Sequence, residues 1–132
     1  MSIGGRWAVA GINETLRDLL KIDGVLGASV VDYYSRLLLG AIGHPAGPDL
    51  EKAALVDTDV VRAKLAALET LGYTPDRMED ILITLDDEYH LIRPLSRGGN
   101  DGIFLYVVMS RADADLAATR QWLRAAEEGF DV

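Results

Sequence analysis

Cysteine is absent from this 132-residue chain, and histidine occurs only twice, at His44 and His90. Without cysteine the chain can form no disulfide, no thiolate metal site and no thiol nucleophile. The two histidines do not have the spacing of a metal-binding pair. His44 lies in a loop segment, His90 alternates with apolar residues, and the sequence positions no carboxylate beside either of them for acid–base catalysis. We therefore predict no catalytic residue, no metal site, no cofactor and no enzymatic activity.

Positive charge and long hydrophobic runs are also scarce. The chain has 13 lysines and arginines against 21 aspartates and glutamates, which gives a formal net charge of −8. Nucleic acids and anionic membrane surfaces bind cationic proteins, so neither is an expected partner. The longest apolar runs, at residues 37–39 and 103–109, are too short to cross a bilayer, and the first ten residues lack the apolar centre of a signal peptide. We expect a cytoplasmic protein with no membrane insertion.

Hydrophobic residues make up 49% of the sequence, which is enough for one core in a chain of one-domain length. We predict a loose lead-in over residues 1–11 and a single domain over residues 12–129. Asn13 is a candidate N-cap, and the apolar residues around it recur at the spacing of a short amphipathic helix that Gly24 ends. Residues 43–49 contain two prolines and two glycines, so they are predicted to form a loop.

Five further apolar segments predict strands: residues 27–32, 37–42, 81–85, 89–95 and 103–109. The last segment is apolar at every position, which indicates a strand near the sheet centre with both faces covered. A helix at residues 58–71 separates the second and third strands, and residues 50–56 are either its first turns or a separate helix. A last helix, capped by Ser110 or Asp113, ends near residue 128. The order α-β-β-α-β-β-β-α predicts an α+β fold with three layers around a five-stranded antiparallel sheet.

The long helix carries two apolar stripes. The first stripe consists of Val61, Leu65 and Leu68. The second consists of Val60, Ala67 and Leu71, with Lys64 between them. One stripe is enough to dock a helix on a sheet. The second stripe is either a further buried contact, for example with another subunit, or a consequence of the alanine-rich composition of this helix.

Four segments resemble the roadblock/LC7 family, and most closely its actinobacterial branch. They are residues 20–32, residues 37–40, residues 79–85 and residues 89–95. The first contains a helix end, the pair Gly24-Val25 and the strand sequence Ala28-Ser29-Val30-Val31-Asp32. The resemblance extends over about residues 12–128. The chain departs from the family pattern in its first turn, which lacks the usual aspartate–glycine pair, and in a longer insert at residues 44–57.

The resemblance implies a profilin-like sheet order with the last strand at the centre. It also implies a homodimer in which the third strands pair and the long second helices pack together. Members of the family commonly regulate or scaffold small Ras-like GTPases or anchor larger assemblies. The implied function is therefore that of a non-enzymatic adaptor or regulator that binds a Ras-like small GTPase or a signalling complex.

In that sheet order the strand at residues 81–85 lies at an edge, and an exposed apolar edge strand is prone to aggregation. Acidic residues flank the strand on both sides, as gatekeeper charges do. Pairing with the same strand of a second subunit would cover the edge. The candidate interface residues are Ile81, Ile83 and Leu85 on the strand and Val60, Lys64, Ala67 and Leu71 on the helix.

Other interpretations depend on few residues. A small-ligand sensor of profilin-like or PAS-like type would need a buried polar group, and Thr84 and His90 are the only candidates within strands. The acidic residues 86–88 lack the spacing of a calcium loop. The glycine-rich residues 98–102 precede a strand and lack the Lys-Ser/Thr pair of a P-loop, so the chain is not itself a GTPase. Trp122 either marks a contact surface or packs on the first helix.

Overall fold

The computed structural model describes residues 2–45, 47–95 and 102–129. Its helices are α1 (Ser2–Leu20), α2 (Leu50–Thr70) and α3 (Leu116–Gly129), with a short 3-10 turn at Pro75–Arg77. Its strands are β1 (Val25–Asp32), β2 (Leu37–Gly43), β3 (Ile81–Thr84), β4 (Glu88–Leu95) and β5 (Ile103–Ser110). This order of elements confirms the order predicted from the sequence.

The five strands form one antiparallel sheet in the order β2-β1-β5-β4-β3. The predicted position of β5 is confirmed, because it lies at the centre and all but its last residue are buried. Its even-numbered and odd-numbered side chains point to opposite faces, as in any strand. β2 and β3 are the two edge strands.

Helices cover both faces of the sheet, which confirms the predicted three-layer α+β fold. On one face Leu16 of α1 and Leu123 of α3 pack with Leu105 of β5 in one core cluster. On the other face Val61 of α2 packs with Phe104 of β5 in a second cluster. The interface candidates on α2 lie on this second face of the sheet, and Ile81 and Ile83 of β3 pack against the same cluster. No described helix is both long enough and apolar enough to cross a membrane.

The first helix begins earlier than the sequence predicted. The backbone is helical from Ser2, whereas residues 1–11 were expected to be a loose lead-in with an N-cap at Asn13. Three glycines, at positions 4, 5 and 11, make this segment a weak helix former. Helix propensity is only a weak preference, so these glycines do not exclude a helix. The assignment of residues 12–129 as a single domain stays a prediction.

Three other boundaries differ from or complete the prediction. Residues 50–56 form the first turns of α2, which Asp49 caps by accepting a hydrogen bond from the Lys52 N–H at 3.0 Å. β3 ends at Thr84, so Leu85 lies in the following turn. Neither Ser110 nor Asp113 caps α3; Asp115 does, by accepting from the Ala118 N–H at 3.0 Å. Of the predicted turn at residues 96–102, residues 96–101 lie outside the described residues.

Candidate dimer and partner interface

The open edge of β3 is the first component of the candidate interface. β3 pairs with β4 alone, with Leu82 opposite Leu91 and Ile83 opposite His90. The side chains of Ile81 and Ile83 are half-buried against the core cluster beneath α2. The backbone of β3 on the side away from β4 has no neighbouring strand within the described part of the chain. This edge can therefore accept a further strand.

The second component is an apolar strip on α2, which we call the outer flank and which consists of Val56, Val60, Lys64, Ala67 and Leu71. Val56, Val60 and Leu71 are 57%, 38% and 63% exposed. Lys64 is also exposed, and Ala67 is half-buried. The first stripe identified in the sequence instead faces the sheet, where Val61 is fully buried. Val56 was missed by the sequence reasoning, although its position four residues before Val60 is the signal that would have found it.

The opposite flank of α2 is attached to the turn between β1 and β2. Arg62 donates hydrogen bonds from Nε to the carbonyl oxygen of Tyr33 and from Nη2 to that of Tyr34, both at 2.8 Å. Asp59 forms an ion pair with Arg36 of the same turn. Val60 lies about 200° around the helix from Arg62, because each residue turns an α-helix by about 100°. The outer flank is therefore the side of α2 that faces away from this turn.

A polar cluster lies between α2 and the sheet. The Tyr106 hydroxyl and His90 Nδ1 are 3.1 Å apart, and His90 Nε2 lies 2.9 Å from Glu88 Oε1. Asp57 of α2 is only 7% exposed, and its Oδ2 has no hydrogen-bond partner among the described residues; the same holds for Ser29 Oγ. Desolvation raises the pKa of Asp57 from 3.8 to about 6, and the charge of His90 opposes this shift. Sequence reasoning identified only His90, because an aspartate on a helix gives no sign of burial.

The cluster also affects Tyr106. Burial raises the pKa of this phenol above its usual range, and the nearby carboxylates of Asp57 and Glu88 raise it further. The rings of His90 and Tyr106 meet edge to face, with centroids 5.8 Å apart. Thr84, the other polar candidate within a strand, is exposed at the end of β3 and is not part of the cluster.

Ion pairs fix the residues that lead into β3. Arg120 of α3 binds Asp80 through Nε at 2.9 Å and Nη2 at 3.0 Å. Arg124 of α3 binds Glu79, and this hydrogen bond lowers the pKa of Glu79. These contacts join the start of the edge strand to α3, which lies on the other face of the sheet from α2.

The remaining candidates lie outside the outer flank and outside β3. His44 is exposed in the loop after β2, and Trp122 is half-buried against the core cluster that includes residues of α1 and the sheet. Leu85 is 39% exposed in the turn after β3. Within the described ranges, no three or more His, Cys, Asp or Glu side chains form a group that could hold a metal ion.

No protein-family model matches the chain, and no curated protein matches its sequence. Solved structures do match its fold. The gliding protein MglB from Thermus thermophilus superposes with a TM-score of 0.77 at 17% identity, over 93% of this chain and 87% of that one. MglB from Myxococcus xanthus gives 0.75 at 16% identity, over 91% of this chain and 84% of that one. A roadblock/LC7 domain from Streptomyces avermitilis gives 0.67 at 15% identity, over 91% of both chains.

Proposed function

We propose that this chain, which has the roadblock/LC7 fold, is a non-enzymatic homodimeric adaptor or regulator of the bacterial cytoplasm. We propose further that it binds a small Ras-like GTPase or another signalling protein. The observation that carries the dimer is that an exposed apolar flank on α2 occurs together with an open edge at β3, whose Ile81 and Ile83 pack against the core cluster beneath α2. The GTPase partner comes from the sequence resemblance to a family whose members commonly regulate such enzymes.

The outer flank supports an association surface on energetic grounds. Val56 and Leu71 are more than half exposed, and Val60 lies between them on the same side of α2. Contiguous apolar patches are uncommon on the surface of monomeric proteins, and each Å² of apolar surface removed from water contributes about 25 cal/mol. A second protein surface placed on this flank would therefore be stabilised by the hydrophobic effect.

A dimer with a single two-fold axis can bury both components of the interface. An axis perpendicular to the sheet, placed beside β3, pairs two β3 strands in antiparallel orientation and joins two sheets into one. This axis keeps the α2 helices of both subunits on the same face, where their outer flanks can meet. An axis parallel to the strands would put the two α2 helices on opposite faces. The antiparallel arrangement is therefore the one that we propose.

Sedimentation equilibrium of the wild-type protein at low micromolar concentration tests the dimer. A mass of twice 14.3 kDa supports it, and a mass of 14.3 kDa throughout that range contradicts it. Affinity capture from lysate of the source organism tests the partner, with a GTP analogue in one sample and GDP in the other. A small GTPase retained in one nucleotide state supports the regulatory role. Recovery of this chain alone in both samples counts against a GTPase partner.

The polar cluster beneath α2 favours a second candidate function, that of a small-ligand sensor. Asp57 Oδ2 and Ser29 Oγ are each buried without a hydrogen-bond partner among the described residues, and a polar ligand that hydrogen-bonds to either group would satisfy it. A ligand that binds only the folded state raises the melting temperature. A ligand screen that raises the melting temperature of the wild type but not of Asp57→Leu would support a sensor. An equal rise in both proteins would place the ligand elsewhere.

A further inference from the structure

The two ends of β3 differ in how their acidic residues are compensated. Before the strand, Glu79 and Asp80 are bound by Arg124 and Arg120 of α3. After the strand, Asp86 and Asp87 are exposed, and their carboxylates form no ion pair or hydrogen bond within the described residues. The strand therefore has arginines beside its first end and uncompensated carboxylates beside its second.

The turn that carries these free carboxylates is held in position through its backbone. Arg111 Nη1 donates to the carbonyl oxygen of Leu85 at 2.9 Å and lies 3.5 Å from that of Asp86. The same guanidinium lies over the ring of Tyr89, 5.4 Å from its centroid. Arg111 thus binds backbone oxygens of the turn and leaves the carboxylates of Asp86 and Asp87 available to another molecule.

A cavity of about 300 Å³ lies at the first end of β3. Arginines at positions 77, 93 and 124 line it, together with Asp76, Glu79, Glu127 and Glu128. Arg93 is about nine-tenths buried and its Nη1 makes no hydrogen bond; the carboxylate of Glu79 is 3.6 Å away. Arg77 stacks over Tyr73 at 4.9 Å and has no ion pair in the described part of the chain. Arg77 therefore remains for a carboxylate that comes from outside, and Arg124, half exposed on its ion pair with Glu79, lines the same cavity.

The two-fold arrangement brings these two regions together. When two antiparallel β3 strands pair around Leu82 or Ile83, residues 86–87 of one subunit lie beside residues 77–80 of the other. A shift of the pairing centre by one residue changes the facing pair but not this proximity. Paired strands lie about 4.8 Å apart, so the long side chains that lead into one β3 can reach the turn that follows the other.

We propose that Asp86 and Asp87 of each subunit bind Arg77 and Arg124 at the cavity of the other subunit. The inference rests on the proposed homodimer and adds its charge contacts. Each subunit contributes the acidic turn to one cluster and the arginines to the other, so neither cluster is complete in a monomer. These contacts would also offset the repulsion between two chains that each have a net charge of −8.

Charge reversal tests the inference. One variant carries Asp86→Lys and Asp87→Lys, and the second carries Arg77→Glu and Arg124→Glu. Each variant alone faces like charges at both clusters of its homodimer, so its dissociation constant should rise about tenfold. A mixture of the two should form heterodimers with nearly wild-type affinity, because both clusters then contain opposite charges. Native mass spectrometry of the mixture counts the three dimers directly.

A matched control carries Glu14→Lys and Asp18→Lys, which change the net charge by the same amount at exposed positions of α1, the helix that packs on β1 and β2 away from the β3 edge. When this control variant is mixed with the wild-type protein, the two homodimers and the heterodimer should form in statistical proportion. A statistical proportion for the two test variants as well would overturn the inference while leaving the homodimer intact. A monomeric wild type would instead contradict the proposed homodimer itself. If the arginine variant does not fold, Arg77→Glu alone replaces it, because Arg77 is exposed and stacks only on Tyr73.

Discussion

Asp80 and Arg120 form a two-point ion pair that joins the residue before β3 to α3, although 40 positions separate them in the sequence. The carboxylate of Asp80 is almost fully buried, with 8% of its side chain exposed. Two parallel N–H···O contacts fix both the distance and the orientation of the two groups. The position of the open edge strand thus depends on a helix of the opposite layer.

Asp80→Asn should destabilise the protein by about 2 kcal/mol, because a buried charged hydrogen-bond partner of Arg120 is lost. Urea unfolding at pH 7 measures the change. Asp76→Asn is the control, since Asp76 is exposed and makes no ion pair within the described residues; it should change stability by less than about 0.5 kcal/mol. Equal effects of the two substitutions would mean that the pair contributes nothing to stability.

Asp57→Asn should stabilise the protein at pH 7.5 and leave it unchanged near pH 3.5. The folded-state pKa of Asp57 is about 6 against 3.8 for the free group, so the folded state holds more protons between these values. The contribution of Asp57 to the stability of the wild type therefore falls as pH rises from about 4 to 6 and then levels off. At about 1.36 kcal/mol per pKa unit, the upper limit of the gain is about 3 kcal/mol.

Unfolding in urea at a series of pH values, at one fixed protein concentration, measures this effect. Asp59→Asn is the control, because the side chain of Asp59 is more than half exposed and forms its ion pair with Arg36 at the surface. It should keep the pH dependence of the wild type. The same slope between pH 4 and 6 in Asp57→Asn would contradict the assignment of this dependence to Asp57.

Leu71→Glu should weaken the dimer without unfolding the subunit. Leu71 is 63% exposed at the end of α2, so the substitution removes no core contact. A charge desolvated on the outer flank should raise the dissociation constant at least about tenfold, as one buried unpaired charge costs more than about 1.4 kcal/mol. Leu37→Glu is the control, because Leu37 is 60% exposed on the opposite edge strand. Sedimentation of both variants at low micromolar concentration decides whether the outer flank is an interface.

Gly24→Ala should cost more stability than Gly72→Ala. Both glycines have positive φ angles, 86° and 84°, which an L-residue adopts at a cost of about 1–2 kcal/mol. A Cβ atom at Gly24 would also lie 2.8 Å from backbone atoms of Ala114, whereas a Cβ at Gly72 would meet no atom within 4 Å. Thermal unfolding of the two variants compares the costs, and equal melting temperatures would show that the loop around Ala114 moves aside freely.

The parts of the fold that were predictable are those recorded in local patterns. β5 is apolar at every position from Ile103 to Met109, and this alone indicates a central strand with both faces covered. The boundaries that were missed depend on other causes. The start of α1 lies in a glycine-containing segment, and the cap of α3 is one of several acidic residues, of which only Asp115 has the required geometry.

The candidate site was predictable only in its apolar part. Val60 and Leu71 follow helical periodicity, so the outer flank can be found from the sequence. The burial of Asp57 beside His90 depends on how α2 crosses the sheet, which no local pattern records. The pairing of Asp80 with Arg120 likewise depends on tertiary structure.

Among the described residues α2 is the only helix of its layer, and its 21 residues give a rod about 31 Å long at about 1.5 Å per residue. Five strands at about 4.8 Å spacing make a sheet of about 24 Å, so this one rod is longer than the sheet is wide. It contacts β1, β2 and β4, and Arg62 fastens it near its middle. A rigid helix that is held near its middle tilts about that point, so a displacement of one end of α2 also moves its other end. A protein bound at the outer flank would therefore act on a helix that packs on β1, β2 and β4.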